Sequence, residues 1–330
     1  MRRSRAYAFL PAVLLAAALP AGRAAAEMGE AAGMTLLQPV SARPVGLAEA
    51  YSAVSGRADC LGYNPAGLAG IDSRRLSGLY HGGFAGDTFV GLLFGAPLKE
   101  AGMAVSLGYY NSGSVERLEE SGEVNSVSGQ RDFLLSAGAG ALVPGTNVSA
   151  GAAVRILSTQ LIEELSGSAA AFDLGVGYGL PKLGMRLGAA VSNFGGKLKI
   201  GDASDDLPSL VRAGLTYSVL LGDSPSLAVL GGLPSPNSSE PPAADRVTLF
   251  AEMVSRLTEG ALQAAAGMEY LAAESLALRV GWRNLISGTT DNSGVICVGI
   301  GADVGGAVVD YAAEVTRFVV MHRMGVSLKI

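Results

Sequence analysis

Few side chains in this 330-residue chain are of a kind that makes or breaks covalent bonds, and their spacing serves no such reaction. Histidine occurs twice, at His81 and His322, and cysteine twice, at Cys60 and Cys297. A serine hydrolase needs serine, histidine and an orienting partner at one spot, and no G-x-S-x-G elbow is present. Metal binding needs clustered histidine, cysteine and carboxylate ligands, which the spacing does not offer. Gly138-Ala139-Gly140 and Gly299-Ile300-Gly301 look like fragments of phosphate loops, but neither opens a strand–helix unit. No enzyme, metal or cofactor is therefore expected. The chemistry left is that of charge in a poorly hydrated setting. Arg155, Asp173, Arg186, Arg212, Glu252, Arg279, Arg283, Asp303 and Asp310 punctuate segments that are otherwise small and apolar. An unpaired charge there would be costly. These residues are expected to face inward and to pair with one another or with a segment packed against them.

What must position them is a period of two. Phe172, Leu174, Val176, Tyr178 and Leu180 share one side of an extended segment, and Asp173, Gly175, Gly177 and Gly179 share the other. Leu276, Leu278, Val280 and Trp282 oppose Ala277, Arg279, Gly281 and Arg283 in the same way. Val211 to Val219 and Met185 to Ser192 repeat the pattern. Such alternation marks strands with one apolar face and one small or polar face. A soluble sandwich would alternate too, but with strands of about five or six residues. Here they run about ten, the length a tilted strand needs to cross a bilayer. The face opposite the apolar stripe is glycine, alanine and serine, where a wetted sheet would carry lysine, glutamate and threonine. The fold expected is all-β, a transmembrane antiparallel barrel of about 14 strands.

Composition agrees. The chain is 49% hydrophobic and 16% charged, with 46 glycines and a mean hydropathy of +0.36. It is too apolar to be disordered. No mature segment offers the ~20 consecutive apolar residues of a membrane helix. Met1 to Arg5 is basic, Ala6 to Pro20 is a short apolar run, and Ala24-Ala25-Ala26 is small, the order of a secretory signal over 1–26. Its removal takes four arginines and no acid, moving the net charge from −5 to −9. An acidic mature chain repels phosphate backbones, so no nucleic-acid partner is expected. The acidic stretches 116–123 and 202–206 fall in outer loops, as solvated surface or as divalent-cation bridges to lipopolysaccharide.

Strands are expected near 73–82, 87–96, 101–111, 130–143, 146–158, 168–180, 183–193, 209–220, 247–257, 260–270, 274–284, 293–303, 306–315 and 319–330. Loops 112–129, 159–167, 194–208 and 285–292 are longer and share the outer side. Residues 221–246, with five prolines, read as an irregular periplasmic insertion, with 226–230 as a possible extra strand. Residues 27–70 do not alternate and stand apart from the wall, 71–330. Helix formers over 47–54 predict a short helix, followed by a turn-rich, irregular loop. Asn64-Pro65 favours a turn, Gly67 permits unusual dihedrals, and Tyr51, Leu61, Tyr63 and Leu68 offer an apolar lining. Cys60 and Cys297 are either bridged or two buried thiols.

The run Gly56-Arg57-Ala58-Asp59 through Tyr63-Asn64-Pro65-Ala66-Gly67-Leu68 resembles the YNPAGL signature of FadL-type outer-membrane proteins, and is closer still to the PorV/PorQ family. Met185 to Gly195, Leu207-Pro208 through Tyr217, Gly267-Met268-Glu269-Tyr270, Leu276 to Gly281 and Val309-Asp310-Tyr311-Ala312 are similar to that family's later strands, in order. Gly325, Leu328 and Ile330 in the last strand look like the signal read by the barrel-assembly machinery, with Ile330 replacing the usual Phe. The last loop, Glu314 to Phe318, departs from the family pattern. The resemblance implies a fourteen-strand FadL-like barrel in the outer membrane of a Gram-negative-type bacterium, with an N-terminal hatch over 27–70 whose candidate gating residues are Tyr51, Leu61, Tyr63, Asn64, Pro65, Gly67 and Leu68. A gate and a static plug are both open readings of that hatch, and a Cys60–Cys297 bridge would pin it to the wall. FadL relatives pass hydrophobic molecules inward, often through an opening in the wall. PorV relatives serve type IX secretion and bind protein cargo. A hatch-gated conduit for hydrophobic solutes and a secretion-accessory barrel are thus the two functions implied.

Overall fold

The computed structural model describes residues 31–330 apart from 84–85, 119–122, 163, 222–244, 273–274 and 288–293. The expected signal segment 1–26 and most of the 221–246 insertion, including 226–230, lie outside the described residues. Among the described residues, fourteen antiparallel strands close into a barrel. They are β1 (Arg75–Gly82), β2 (Thr88–Pro97), β3 (Ala101–Asn111), β6 (Gln130–Leu142), β7 (Val148–Leu161), β8 (Leu165–Leu180), β9 (Met185–Phe194), β12 (Leu210–Leu221), β13 (Asp245–Arg256), β14 (Ala261–Ala272), β15 (Leu276–Ser287), β16 (Val295–Val304), β17 (Ala307–Val315) and β18 (Val320–Lys329). Each wall strand pairs with its neighbour along the chain, and β1 returns to β18 from Arg75↔Lys329 to Gly82↔His322. Closure removes every wall edge, which a bilayer demands because unpaired backbone groups cannot be hydrated there. No helix is long and apolar enough to cross a membrane among the described residues.

Two short hairpins interrupt the wall sequence: β4 (Ser114–Leu118) with β5 (Val124–Ser128), and β10 (Lys197–Ile200) with β11 (Ala203–Asp206). Both stand at the same end, called here the loop end. The chain termini of the wall lie at the opposite turn end. The expected nine-residue loop over 159–167 is instead strand. β7 and β8 run on to Leu161↔Leu165, because Ser158 to Gln160 keep the alternation going. Within the expected loops 112–129 and 194–208, Ser114–Leu118 pairs with Val124–Ser128 and Lys197–Ile200 with Ala203–Asp206.

Sidedness follows the alternation. Phe172, Leu174 and Val176 point outward and are 47–53% exposed, whereas Asp173 between them is 1% exposed. Leu276, Leu278, Val280 and Trp282 likewise form an outer stripe, with Arg279 buried behind it. The buried apolar core lies inside the cylinder. It is made by the N-terminal segment, with Leu47, Tyr51, Leu61, Tyr63 and Leu68 packed against Leu93, Ala104, Ala153, Phe250, Ala265 and Cys297 of the wall.

Candidate functional site

The interior of the barrel is occupied by residues 31–71. A 3-10 turn over Met34–Leu37 sits at the loop end, where Leu36 packs on Leu134, Leu157, Leu198 and Leu207. A short helix α1 (Ala42–Gly46) follows against β16 and β17. Residues 47–57 cross the lumen, and 3-10 turns over Ala58–Gly62 and Pro65–Gly70 bring the chain to the turn end. The helix thus precedes the expected 47–54, which is irregular. Ala48 (φ 54°) and Glu49 (φ 62°) are both left-handed there. Their intrinsic helix preference is overridden because the backbone must lie flat on the wall, with Glu49 drawn to Arg283.

Wall glycines make that approach possible. A Cβ on Gly281 would stand 2.6 Å from the Ala48 nitrogen, and one on Gly267 would stand 2.9 Å from the Leu47 oxygen. Gly188 and Gly214 face Ser52, Gly140 and Gly151 face Pro65, and Gly102 faces Leu68. The small inward face is therefore the imprint of the hatch on the wall.

Polar bonds fasten hatch to wall around the circumference. Arg43 grips Glu269 through both carboxylate oxygens at 2.8 and 2.7 Å. Glu49 meets Arg283 at 2.5 Å. Glu252 accepts from the Tyr51 and Ser52 backbone N–H groups at 2.6 and 2.7 Å, and its other oxygen pairs with Arg212 at 3.1 Å. Arg155 donates to Asp173 at 2.7 Å and to the carbonyls of Leu36 and Leu61 at 3.0 and 3.3 Å. Asn64 donates to the carbonyls of Ser52 and Val176 at 2.6 and 3.0 Å and accepts from the Ala66 N–H. Thr35 and Thr159 both donate to buried Asp132. Arg279 joins Glu269 to Asp310 at 2.7 and 2.5 Å, and Glu314 is shared by Arg283 and Arg323.

The structure thus brings Arg155, Asp173, Arg212, Arg279, Arg283 and Asp310 into one ring of interior charge pairs. Arg186 is also inside but bonds to Ser149 Oγ at 2.7 Å. Asp303 is the exception. It is exposed at the turn end and accepts from the Gly306 N–H at 3.0 Å, because the inward phase of β16 has run out at the turn. Tyr51, Leu61, Tyr63, Asn64, Pro65, Gly67 and Leu68 are all buried in the hatch. Gly325 faces inward over Ala42, Leu328 faces outward, and Ile330 is exposed at the turn end with its N–H on the Arg74 carbonyl. Cys60 and Cys297 are free and buried.

Arg43, Glu49, Asp132, Glu269, Glu314 and Arg323 were missed by sequence reasoning. Glu269, Glu314 and Arg323 share the inward phase of their strands, so the period alone could have found them. Arg43 and Glu49 stand in a segment with no period to read.

Within the hatch, burial works against every charge and neighbours decide the outcome. Burial would raise the Glu49 carboxyl, but Arg283, with Arg212 and Arg323 behind it, holds it below the usual range. Burial would raise Asp59 too, and Arg57 and Arg43 with hydrogen bonds from Ser41 and Tyr51 bring it below instead. Burial pushes the Cys60 thiol up to about 12 and raises the Tyr51 and Tyr63 phenols. Two cavities at the hatch–wall boundary measure about 40 and 10 Å³, the scale of single waters. Among the described residues no group of three or more potential metal ligands gathers. Asp202, Asp205 and Asp206 of the expected acidic loop are exposed, with Asp206 paired to Lys197, and 119–122 of the other lie outside the described residues.

Comparison with solved structures places the fold. The toluene transporter TodX of Pseudomonas putida aligns over 92% of this chain and 98% of its own length, at 14% identity and a TM-score of 0.52. A second TodX structure covers 89% and 99% with a TM-score of 0.53. A Pseudomonas aeruginosa FadL homologue covers 89% and 99% at 10% identity, with a TM-score of 0.54. These proteins and this chain share the FadL-like barrel fold. No protein-family model and no curated protein matches the chain.

Proposed function

We propose that this chain is an outer-membrane barrel of FadL-like, PorV/PorQ type that works as a hatch-gated conduit for hydrophobic solutes, with its loop end outward and its turn end in the periplasm. The carrying observation is how the lumen is blocked. The hatch is held by salt bridges and hydrogen bonds, with no disulfide among its fastenings, so it can be released without breaking a covalent bond. The outer apolar stripe supports a lipid setting, since about half the surface of each stripe residue is bare. One protein that shares the fold, TodX, carries toluene transport in its name, which supports a small apolar solute. The last strand, ending Gly325, Leu328 and Ile330, is assigned to recognition by the barrel-assembly machinery, and the exposed loop end to contact with lipopolysaccharide.

The test is the barrel with residues 46–70 deleted. In planar bilayers the intact protein is expected to stay closed and the deletion to open in discrete conductance steps. In lipopolysaccharide-coated proteoliposomes the deletion should also speed the entry of N-phenyl-1-naphthylamine. A deletion that stays closed in both assays overturns the reading.

A secretion-accessory role is the second reading. One observation favours it: the β4–β5 hairpin holds Val115, Leu118 and Val124 exposed at the loop end. Under that reading, removing the hairpin abolishes binding of a secretion signal domain and leaves solute entry unchanged.

A further inference from the structure

Four polar atoms at the hatch–wall boundary have no hydrogen-bond partner although their side chains are more than nine-tenths buried. They are Tyr63 Oη, Ser192 Oγ, Asn193 Oδ1 and Arg212 Nε. All four residues line the same cavity of about 10 Å³, which also touches Leu36 and Leu210. Buried polar atoms are rarely left unpaired, and each such group costs stability unless something meets it. Four at one cavity specify what fits.

Charge comes first. Three ionised groups line the cavity, and each has its counter-ion: Arg212 with Glu252 at 3.1 Å, Arg155 with Asp173 at 2.7 Å, and Glu49 with Arg283 at 2.5 Å. A charged ligand would enter uncompensated, at high cost. The guest is therefore neutral. Donor and acceptor types then narrow it. The Arg212 Nε–H can only donate, and the Asn193 oxygen can only accept, since that side chain's nitrogen already donates to the Pro208 carbonyl at 3.2 Å. The Tyr63 and Ser192 hydroxyls can do either. A hydroxyl accepts from the guanidinium and donates to the amide oxygen at once.

Beside this polar corner lies an apolar one. Leu36 fills a nest of Leu134, Leu157, Ala171, Leu198 and Leu207. Its backbone belongs to the N-terminal arm rather than to any wall strand. The arm is held by the Thr35 hydroxyl on Asp132, the Ala32 N–H on the Asp206 carbonyl at 3.0 Å, and the Leu36 carbonyl on Arg155. It can withdraw while every wall pairing stays closed.

We propose that this corner is the recognition site for the hydroxyl of an otherwise apolar solute, an aliphatic alcohol or a phenol, whose body takes the place that Leu36 fills. The proposal rests on the conduit reading for how the solute arrives, and it names the class of solute. The experiment is calorimetric titration of the full-length protein in detergent, empty micelles subtracted, with 4-methylphenol, toluene and benzoate. 4-Methylphenol should bind about tenfold tighter than toluene, the worth of roughly one net hydrogen bond, and benzoate should not bind measurably. Leu36→Ala should tighten both neutral ligands. Tyr63→Phe and Ser192→Ala should erase the preference, bringing 4-methylphenol affinity down to that of toluene. Equal affinity for 4-methylphenol and toluene overturns the proposal and leaves the corner to an ordered water; so does a preference that survives both hydroxyl deletions. The conduit is scored separately. A hatch-deleted barrel that stays closed, with the 4-methylphenol preference seen in the full-length protein, removes the conduit and keeps this site. An open deleted barrel, with no preference in the full-length protein, does the reverse.

Discussion

Gly151 holds the hatch by having no side chain. A Cβ there would stand 2.5 Å from the Ala66 nitrogen and closer to the Pro65 backbone, and backbone cannot swing aside. Gly151→Val is expected to lift the turn at Asn64–Leu68 off the wall at a cost of about 1–3 kcal/mol. The readout is thiol labelling of Cys60, slow in the parent and fast in the variant, with the folded band on a gel unchanged; equal labelling rates would refute it. Asp173 is the complementary case. It accepts from Arg155 and, through the bulge where Asn193 turns left-handed (φ 58°), from the Asn193 N–H at 2.7 Å. Asp173→Asn strands a buried guanidinium and is expected to cost roughly 3–5 kcal/mol, whereas Arg155→Met with Asp173→Leu together should cost less. Urea midpoints of the folded band compare the two. Which strand residues face inward was legible from alternation: Arg155, Asp173, Arg279 and Asp310 fall in phase. Their partners on the hatch were not, because Arg43 and Glu49 are placed by tertiary contacts in a stretch where no period exists. Asp303 shows the limit of phase, which places a residue on a face but says nothing of where the strand ends.

The hatch is an element whose docking titrates from both sides. Glu49 and Asp59 sit below the usual carboxylate range when docked. Their contribution is therefore full above the ordinary carboxylate pKa, about 4, and is lost as pH falls below it through the depressed values. Cys60 is raised to about 12 when docked. Its protonated form is favoured inside, so its contribution is full below the ordinary thiol value near 8.5 and is lost as pH rises from there toward 12. Docking should thus be flat between about pH 5 and 8 and weaken outside that window. Bilayer conductance across pH is the measurement, and opening centred at neutral pH would contradict it. Glu49→Gln should shrink the acid-side change and leave the alkaline side intact. At this scale the sequence was least informative. Leu47 to Val54 carries good helix formers, yet the helix forms at Ala42–Gly46, because Gly267 and Gly281 admit backbone at that level of the wall and Arg283 draws Glu49 out of helical geometry. By contrast Asn64 was readable as a turn initiator, and it caps Pro65–Gly70 by accepting from Ala66.

For the whole molecule, the fourteen-strand wall was legible almost residue by residue, since a barrel of this kind writes its faces into every second position. The same rule yields the sharpest prediction about the assembled protein. Val280 lies mid-strand on the outer stripe of β15, between the buried inward residues Arg279 and Gly281. If that stripe meets hydrocarbon, Val280→Arg puts a guanidinium at the bilayer midplane, at a cost of about 2–4 kcal/mol. The same substitution at Val304, exposed near the turn end of β16, should cost roughly 0–1 kcal/mol. Refolding into lipid vesicles, followed by the fraction of protein whose band shifts on heating, distinguishes the two positions. Depth is what separates this outcome from ordinary surface tolerance. In water both residues are exposed valines, and both changes would be near neutral. Equal folding of the two variants would mean that the apolar stripe does not contact lipid, and the barrel's orientation in a membrane would have to be abandoned with it.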